Sequence, residues 1–218
     1  VLERTGQKDK IVPLLNQGID TFAKSNVPNG PSAITQLLSY LSVTQARQGD
    51  LAGAVATNQR LLELVPGNVA AMRNLAILAR DQGKPDEAMQ WVNQALTAAG
   101  QNGADLKSLY QLAAELYQAQ GNTTQVITQY ENIRQVDPND AAALSTLSGL
   151  YVATGNDAKV IEIEQQLMQL DPQNYQHPLA VAQAMMRQQR NQEALTFAQQ
   201  AMALAPDDAK AAIQQLVT

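Results

Sequence analysis

The chain has 218 residues, with 15 Lys and Arg against 20 Asp and Glu and a formal net charge of -5. Scattered basic residues in an acidic chain argue against a phosphate-tracking nucleic-acid surface, which needs clustered Lys and Arg; the lack of Cys excludes disulfides, thiolate zinc sites and cysteine nucleophiles. Hydrophobic residues make up 45% but aromatics only 4%, so Ala, Leu, Val and Met must fill the core, which suits closely packed helices.

Val1-Leu2-Glu3-Arg4-Thr5-Gly6 reads as the last turn of a helix running into a turn. No signal peptide is visible there. Val1 is not an initiator Met, so the chain reads as a fragment or processed product, with further repeats expected upstream. Ile11, Val12, Leu14, Leu15, Ile19 and Phe22 predict one long helix, the second helix of a degenerate unit. The stretch Val27-Pro28-Asn29-Gly30-Pro31-Ser32 is expected as a connection. Residues 1–32 are thus a degenerate N-terminal unit and connection, and residues 33–218 a repeat array. No apolar run approaches the roughly 20 residues of a membrane span.

From Thr35 to Asn68 a unit can be read from its parts. Leu37, Leu38, Leu41 and Val43 have helical spacing. Gln48-Gly49-Asp50 breaks it: Gly permits a left-handed backbone and Asp50 is placed to cap the next helix. Leu51, Ala54, Val55, Leu61, Leu62 and Val65 form a second helical pattern. Pro66 stops it, Gly67 turns, and Asn68 is placed as the next cap.

The unit recurs. Gly83 lies 34 residues after Gly49, and Gly155 lies 34 after Gly121. Pro138, Pro172 and Pro206 are also 34 apart, as are the expected caps Asp140, Asn174 and Asp208. A fixed period of this size marks stacked supersecondary units. From Asn68 to Asp140 the spacing is 72, four more than two periods. The extra residues are expected as an exposed bulge within Ala99–Asp105. Five full units follow: 35–68, 69–102, 107–140, 141–174 and 175–208. Ala54, Ala88 and Ala194, with Val126 and Val160, occupy one compact position twenty residues into the unit, where helices close on each other. Asn122 and Gln125 are placed to form a capping box. In the tail, Ala212, Ile213 and Leu216 are expected to cover the end of the stack.

On these residues the chain resembles the tetratricopeptide repeat family. Leu38, Met72, Tyr110 and Leu144 match its large fourth position, and Leu41, Leu75 and Leu147 its seventh. Ser42, Ala76, Ala114, Ser148 and Ala182 match the small eighth position. Tyr117 and Tyr151 match the aromatic eleventh, which Gln45 and Ala79 replace. Ala95 and Ala201 match a further small position, and Pro178 departs at the fourth position of the last unit. The resemblance implies an all-α fold, a right-handed superhelical solenoid of antiparallel helix pairs, spanning roughly residues 33 to 218. It also implies a non-catalytic scaffold that binds a peptide or partner surface in a concave groove, with no cofactor. The Gln- and Ala-rich, Lys-poor composition has a bacterial character.

No residue set argues for catalysis. His177 is the sole histidine and is expected in a surface or capping role beside Pro178. Glu162 and Glu164 are two apart on a helix and cannot converge, so a solvated face is expected. Asp207 and Asp208 read as capping residues, Met185 and Met186 as packing, and Trp91 as a packing or partly exposed aromatic. No metal site is expected.

The resemblance places positions 2, 5, 9, 12 and 13 of each unit in the groove. At one end this gathers Val43, Arg47, Arg73, Ile77 and Arg80, with Asn74 at the edge and Gln111 and Glu115 on the next unit. Guanidinium groups suit carboxylates, so an acidic or C-terminal partner segment is one reading. Arginines paired with Asp81 and Glu115 are the other. The family's heat-shock tail clamp is rejected: Asn74 fits it, but Ser39, Val43, Ser108 and Leu112 do not. Two alternatives to the scaffold remain: self-association through the N-terminal end, giving a homodimer, and a recruiting region of a larger enzyme or membrane-assembly protein.

Overall fold

The computed structural model describes residues 10–24 and 30–215. The expected turn at Val1–Gly6, the connection at 27–29 and Leu216 lie outside them. All twelve elements among the described residues are α-helices. The class is all-α, a solenoid of antiparallel helix pairs. Two compact units divide the chain, residues 1–116 and 117–218.

The first unit holds α1 (Ile11–Lys24), α2 (Gly30–Arg47), α3 (Leu51–Leu64), α4 (Val69–Asp81), α5 (Pro85–Ala99) and most of α6 (Gly103–Ala119). Gly30, Pro31 and Ser32 form the first turn of α2 instead of part of a connection. A proline is tolerated there because its missing N–H has no intrahelical bond to lose. Asp50 caps α3, its side chain accepting from Gly53 N, and Asn68 caps α4, accepting from Ala71 N. One cluster of buried residues joins Ile19, Leu38, Leu41, Leu61 and Ala71, and another joins Met72, Ala95, Ala99 and Leu109. Trp91 packs against the second.

The expected bulge at 99–105 is shorter than the spacing implies. Gly103, Ala104 and Asp105 are helical, and only residues 100–102 connect α5 to α6. The α6 helix has 17 residues where α4 and α8 have 13. The four inserted residues therefore add one helical turn, which satisfies their backbone groups internally instead of leaving them to solvent.

The second unit holds α7 (Thr123–Val136), α8 (Ala141–Ala153), α9 (Asp157–Leu170), α10 (Gln176–Arg187), α11 (Asn191–Leu204) and α12 (Asp207–Gln215). Asn122 accepts from Gln125 N, the forward half of the expected capping box. Asp140 and Asn156 cap α8 and α9. Asn174 Oδ1 accepts from Gln176 N at 3.1 Å at the start of α10. Pro178 is buried in the first turn of α10. The last helix starts at Asp207, ahead of the expected cap Asp208, so both carboxylates sit in its first turn, where they favour the positive end of the helix dipole. Ile213 is 2% exposed and packs with Ala201 and Ala205, covering the end of that cluster; Ala212 stays exposed.

One device closes all five inner turns. The N–H three residues beyond the helix bonds back to the carbonyl five residues earlier: Asp50 to Gln45, Lys84 to Ala79, Asn122 to Tyr117, Asn156 to Tyr151 and Arg190 to Met185, at 2.8–2.9 Å. This arrangement requires a left-handed residue just past the helix. Glycine supplies it at Gly49, Gly83, Gly121 and Gly155, with φ between 70 and 84. In the fifth turn Gln189 takes the same place with φ 62.

Candidate functional site

The face that α2 and α4 share in the first unit carries a pocket of about 170 Å³. Val43, Ala46 and Arg47 contribute from α2, Leu51 and Asn58 from α3, and Asn74, Ile77, Leu78 and Asp81 from α4, with Ser42 completing the lining. Helical spacing explains the set. Val43, Ala46 and Arg47 lie three and four residues apart on α2, as do Asn74, Ile77, Leu78 and Asp81 on α4.

Four of the eight residues expected in the groove meet in this pocket: Val43, Arg47, Asn74 and Ile77. Val43 is 36% exposed, at the solvent side. Arg80 is spoken for: its Nη1 bonds Glu115 Oε2 at 2.5 Å, and Nε and Nη2 bond Asp81 Oδ1 at 3.1 and 3.0 Å. Pairing therefore describes Arg80, while it ties α4 to α6. Arg73 is exposed one turn before Ile77, and Gln111 is exposed one turn before Glu115. Neither lines the pocket. Of the three arginines expected to gather here, Arg47 alone lines the pocket.

Sequence reading missed Ser42, Leu51, Asn58 and Leu78 as pocket residues. Asn58 matters most, because it is 1% exposed and forms the floor. Its Nδ2 donates to Ala54 O at 2.8 Å, and its Oδ1 meets Asn74 Nδ2 at 3.5 Å. The corresponding place in other repeats holds Val92, Tyr130, Glu164 and Ala198. The equivalent place around Tyr130 holds a pocket of the same volume, so Asn58 gives this one a polar floor and not its size. The signal was present: Ser42 and Asn58 are polar residues 16 apart on the packing side of their helices.

The same 16-residue spacing recurs as Ser148 and Glu164. Glu164 is 7% exposed, which corrects the expectation of a solvated face. Glu162 alone is exposed. Two residues apart, the pair straddles the boundary between the packed and open sides of α9. Ser148 Oγ donates to Glu164 Oε1, and His177 Nδ1 lies 2.8 Å from Glu164 Oε2. The carboxylate stands between hydroxyl and imidazole. The Ser-His-Asp triad needs the imidazole between the other two; here the carboxylate holds that place and joins three helices. Beside it, Tyr151 O–H donates to Glu131 Oε1 at 2.7 Å. Burial, and then that bond, push the Tyr151 phenol well above the usual tyrosine range. Arg134 links Glu162 at 2.8 Å and Gln166 at 3.1 Å. Among the described residues, no group of three or more His, Cys, Asp or Glu is placed to hold a metal ion, and no helix is long and apolar enough to cross a membrane.

Residues 40–103 match the family model of the tetratricopeptide repeat. That stretch carries tetratricopeptide-repeat sequence. Solved structures with a similar fold include MamA, at 18% identity over 82% of this chain and 94% of that one, TM-score 0.55. Another is YrrB, described as a tetratricopeptide-repeat protein with an unusual peptide-binding site, at 15% identity over 82% and 90%, TM-score 0.55. A third is PilF of Pseudomonas aeruginosa, at 14% identity over 86% and 89%, TM-score 0.52. No curated protein matches the chain in sequence. Tetratricopeptide repeats are in general non-catalytic, and the repeat fold is that of a protein–protein interaction scaffold.

Proposed function

We propose that this protein binds a peptide or a partner surface on the α2–α4 face of its first unit. The observation that carries the reading is the open pocket that unites Val43, Arg47, Asn74 and Ile77. An apolar anchor side chain of the partner enters between Val43 and Ile77. Asn74 meets the partner's polar groups. Arg73, exposed and without an ion pair among the described residues, meets a carboxylate of an acidic or C-terminal segment. Arg80 serves this face by holding Glu115 in place.

The test is selection from a displayed peptide library on the whole chain, followed by titration of the winners against wild type, Ile77→Glu and Arg73→Ala. Ile77→Glu, which puts a charge at an apolar contact, is expected to weaken binding by at least about ten-fold. Arg73→Ala weakens acidic winners selectively. Winners that bind Ile77→Glu as well as wild type remove the reading.

Self-association is the second reading. Leu14 is 50% exposed and Phe22 37% on α1, an apolar surface that a second copy would cover. Sedimentation across dilution decides it: a mass that stays monomeric at every concentration rules it out.

A further inference from the structure

The pocket on the α2–α4 face has mainly apolar walls and an amide base. Val43, Ala46, Leu51 and Ile77 line it, and Asn58 and Asn74 close it. Its rim carries one charge of each sign, Arg47 and Asp81. The buried Asn58 carbonyl oxygen has one partner among the described residues, Asn74 Nδ2 at 3.5 Å, the long limit of a hydrogen bond. A buried acceptor so weakly satisfied is uncommon, and it lies where an incoming group would end.

These features select the occupant. The volume of about 170 Å³ compares with the roughly 150 Å³ cavity that admits a benzene ring. Serine and threonine are too small to fill it. A charged side chain would lose its hydration against neutral amides at the base. Leucine and phenylalanine fill the walls but seal the Asn58 oxygen from water with only the long Asn74 contact to satisfy it. An indole donates but cannot accept from the Asn74 amide, whereas a phenol does both.

We propose that this pocket recognises a tyrosine of an extended partner segment. The ring lies between Val43, Ala46 and Ile77, and the hydroxyl donates to Asn58 Oδ1 while accepting from Asn74 Nδ2. The inference rests on the reading of this face as the partner site.

The experiment uses the whole chain and two probes, 4-methylphenol and toluene, followed by NMR at the Val43 and Ile77 methyls and the Asn58 and Asn74 side-chain amides. The phenol is expected to shift all four sites and to bind about five-fold tighter than toluene, the gain of one net hydrogen bond. Asn58→Leu and Asn74→Ala each abolish the preference while toluene still binds. Should Asn58→Leu fail to fold, the half-buried Asn74 carries the test through Asn74→Ala. Equal or tighter binding of toluene overturns the proposal, and so does a phenol that leaves the pocket resonances unmoved. Library-selected peptides separate the two levels. Winners lost on Ile77→Glu but anchored by leucine or phenylalanine preserve the partner face and overturn the tyrosine. Winners indifferent to Ile77→Glu overturn the face itself.

Discussion

Glu164 and His177 meet at 2.8 Å, from Oε2 to Nδ1, across the step from one helix pair to the next. Glu164 sits on α9, His177 on the first turn of α10, and Ser148 on α8 supplies the second donor. His177 and Glu164 side chains are 12% and 9% exposed, so water does not readily replace either partner. The other charged groups of these helices are engaged elsewhere: Asp157 with Arg187, Glu162 with Lys159 and Arg134, and Arg190 with Glu193 on α11. His177→Ala leaves a buried carboxylate oxygen without its donor and is expected to destabilise the second unit by about 1–3 kcal/mol. Denaturant unfolding measures this. Combined with Ser148→Ala, the losses should be non-additive, because both donors serve one carboxylate. Strict additivity would mean that the three side chains do not act together.

Two helical glycines should respond differently to alanine. At Gly149, on α8, an added Cβ meets nothing within 4 Å, so Gly149→Ala gains about 0.5–1 kcal/mol from reduced backbone freedom in the unfolded chain. At Gly53 the same Cβ would stand 2.1 Å from Asp50 Oδ2 and 2.6 Å from Gln45 Nε2. Asp50 is held there by its capping bond from Gly53 N at 2.8 Å. Moving it sacrifices a cap of about 1 kcal/mol, which cancels the helical gain. Melting temperatures of the two variants should differ by an amount equivalent to at least about 1 kcal/mol. An equal gain from both would refute the assigned cap geometry.

Gln189 occupies the left-handed position that glycine fills in the other four inner turns. For a side chain bearing Cβ this region costs about 1–2 kcal/mol. Gln189→Gly is therefore expected to stabilise the second unit, less the greater freedom glycine has when unfolded. Thermal unfolding should shift upward, and a downward shift would show that the Gln189 side chain contributes contacts worth more than its strain.

Acid should weaken the link between α7 and α9. Glu162 lies below its ordinary value of 4.5 chiefly because the Lys159 ammonium bonds it, with Arg134 adding to the effect against opposing burial. A carboxyl whose folded value is lower than its unfolded value stabilises the fold above the unfolded value. That contribution disappears as pH falls from 4.5 through the folded value. Glu162 is 45% exposed, so water screens it and less than about 1 kcal/mol is at stake. A ¹³C carboxyl titration should place the Glu162 midpoint under 4.5 and move it upward in Lys159→Met. An unmoved midpoint would show that the ion pair is not populated.

Much of the fold is legible along the chain because its determinants are local. A glycine immediately before an Asp or Asn sets a left-handed turn and a cap next to itself, as Gly49, Gly121 and Gly155 do, and Gly83 keeps the same register before Lys84. The buried alanines and valines at Ala54, Ala88, Val126, Val160 and Ala194 followed from the same period, and all are at most 4% exposed. Less local features went astray. The four inserted residues before α6 looked like a loop because they are small and polar, but a helix absorbs such residues readily when the next turn continues it. Glu164 looked solvated because carboxylates usually are, and its two donors come from other helices.

Read alone, the chain determined the period, the helix pairs, the caps and the inner turns, since each arises from backbone chemistry within one or two turns of the residue concerned. Val43, Arg47, Asn74 and Ile77, which the family resemblance grouped, line one pocket. Only the tertiary structure decided that Arg80 is paired, that Glu164 is buried and that Asn58 forms the floor of an open pocket. Those outcomes depend on which side chains share space between helices 13 to 35 residues apart in the chain. Position in the sequence does not specify that sharing; the volume and donors of the neighbouring helices do.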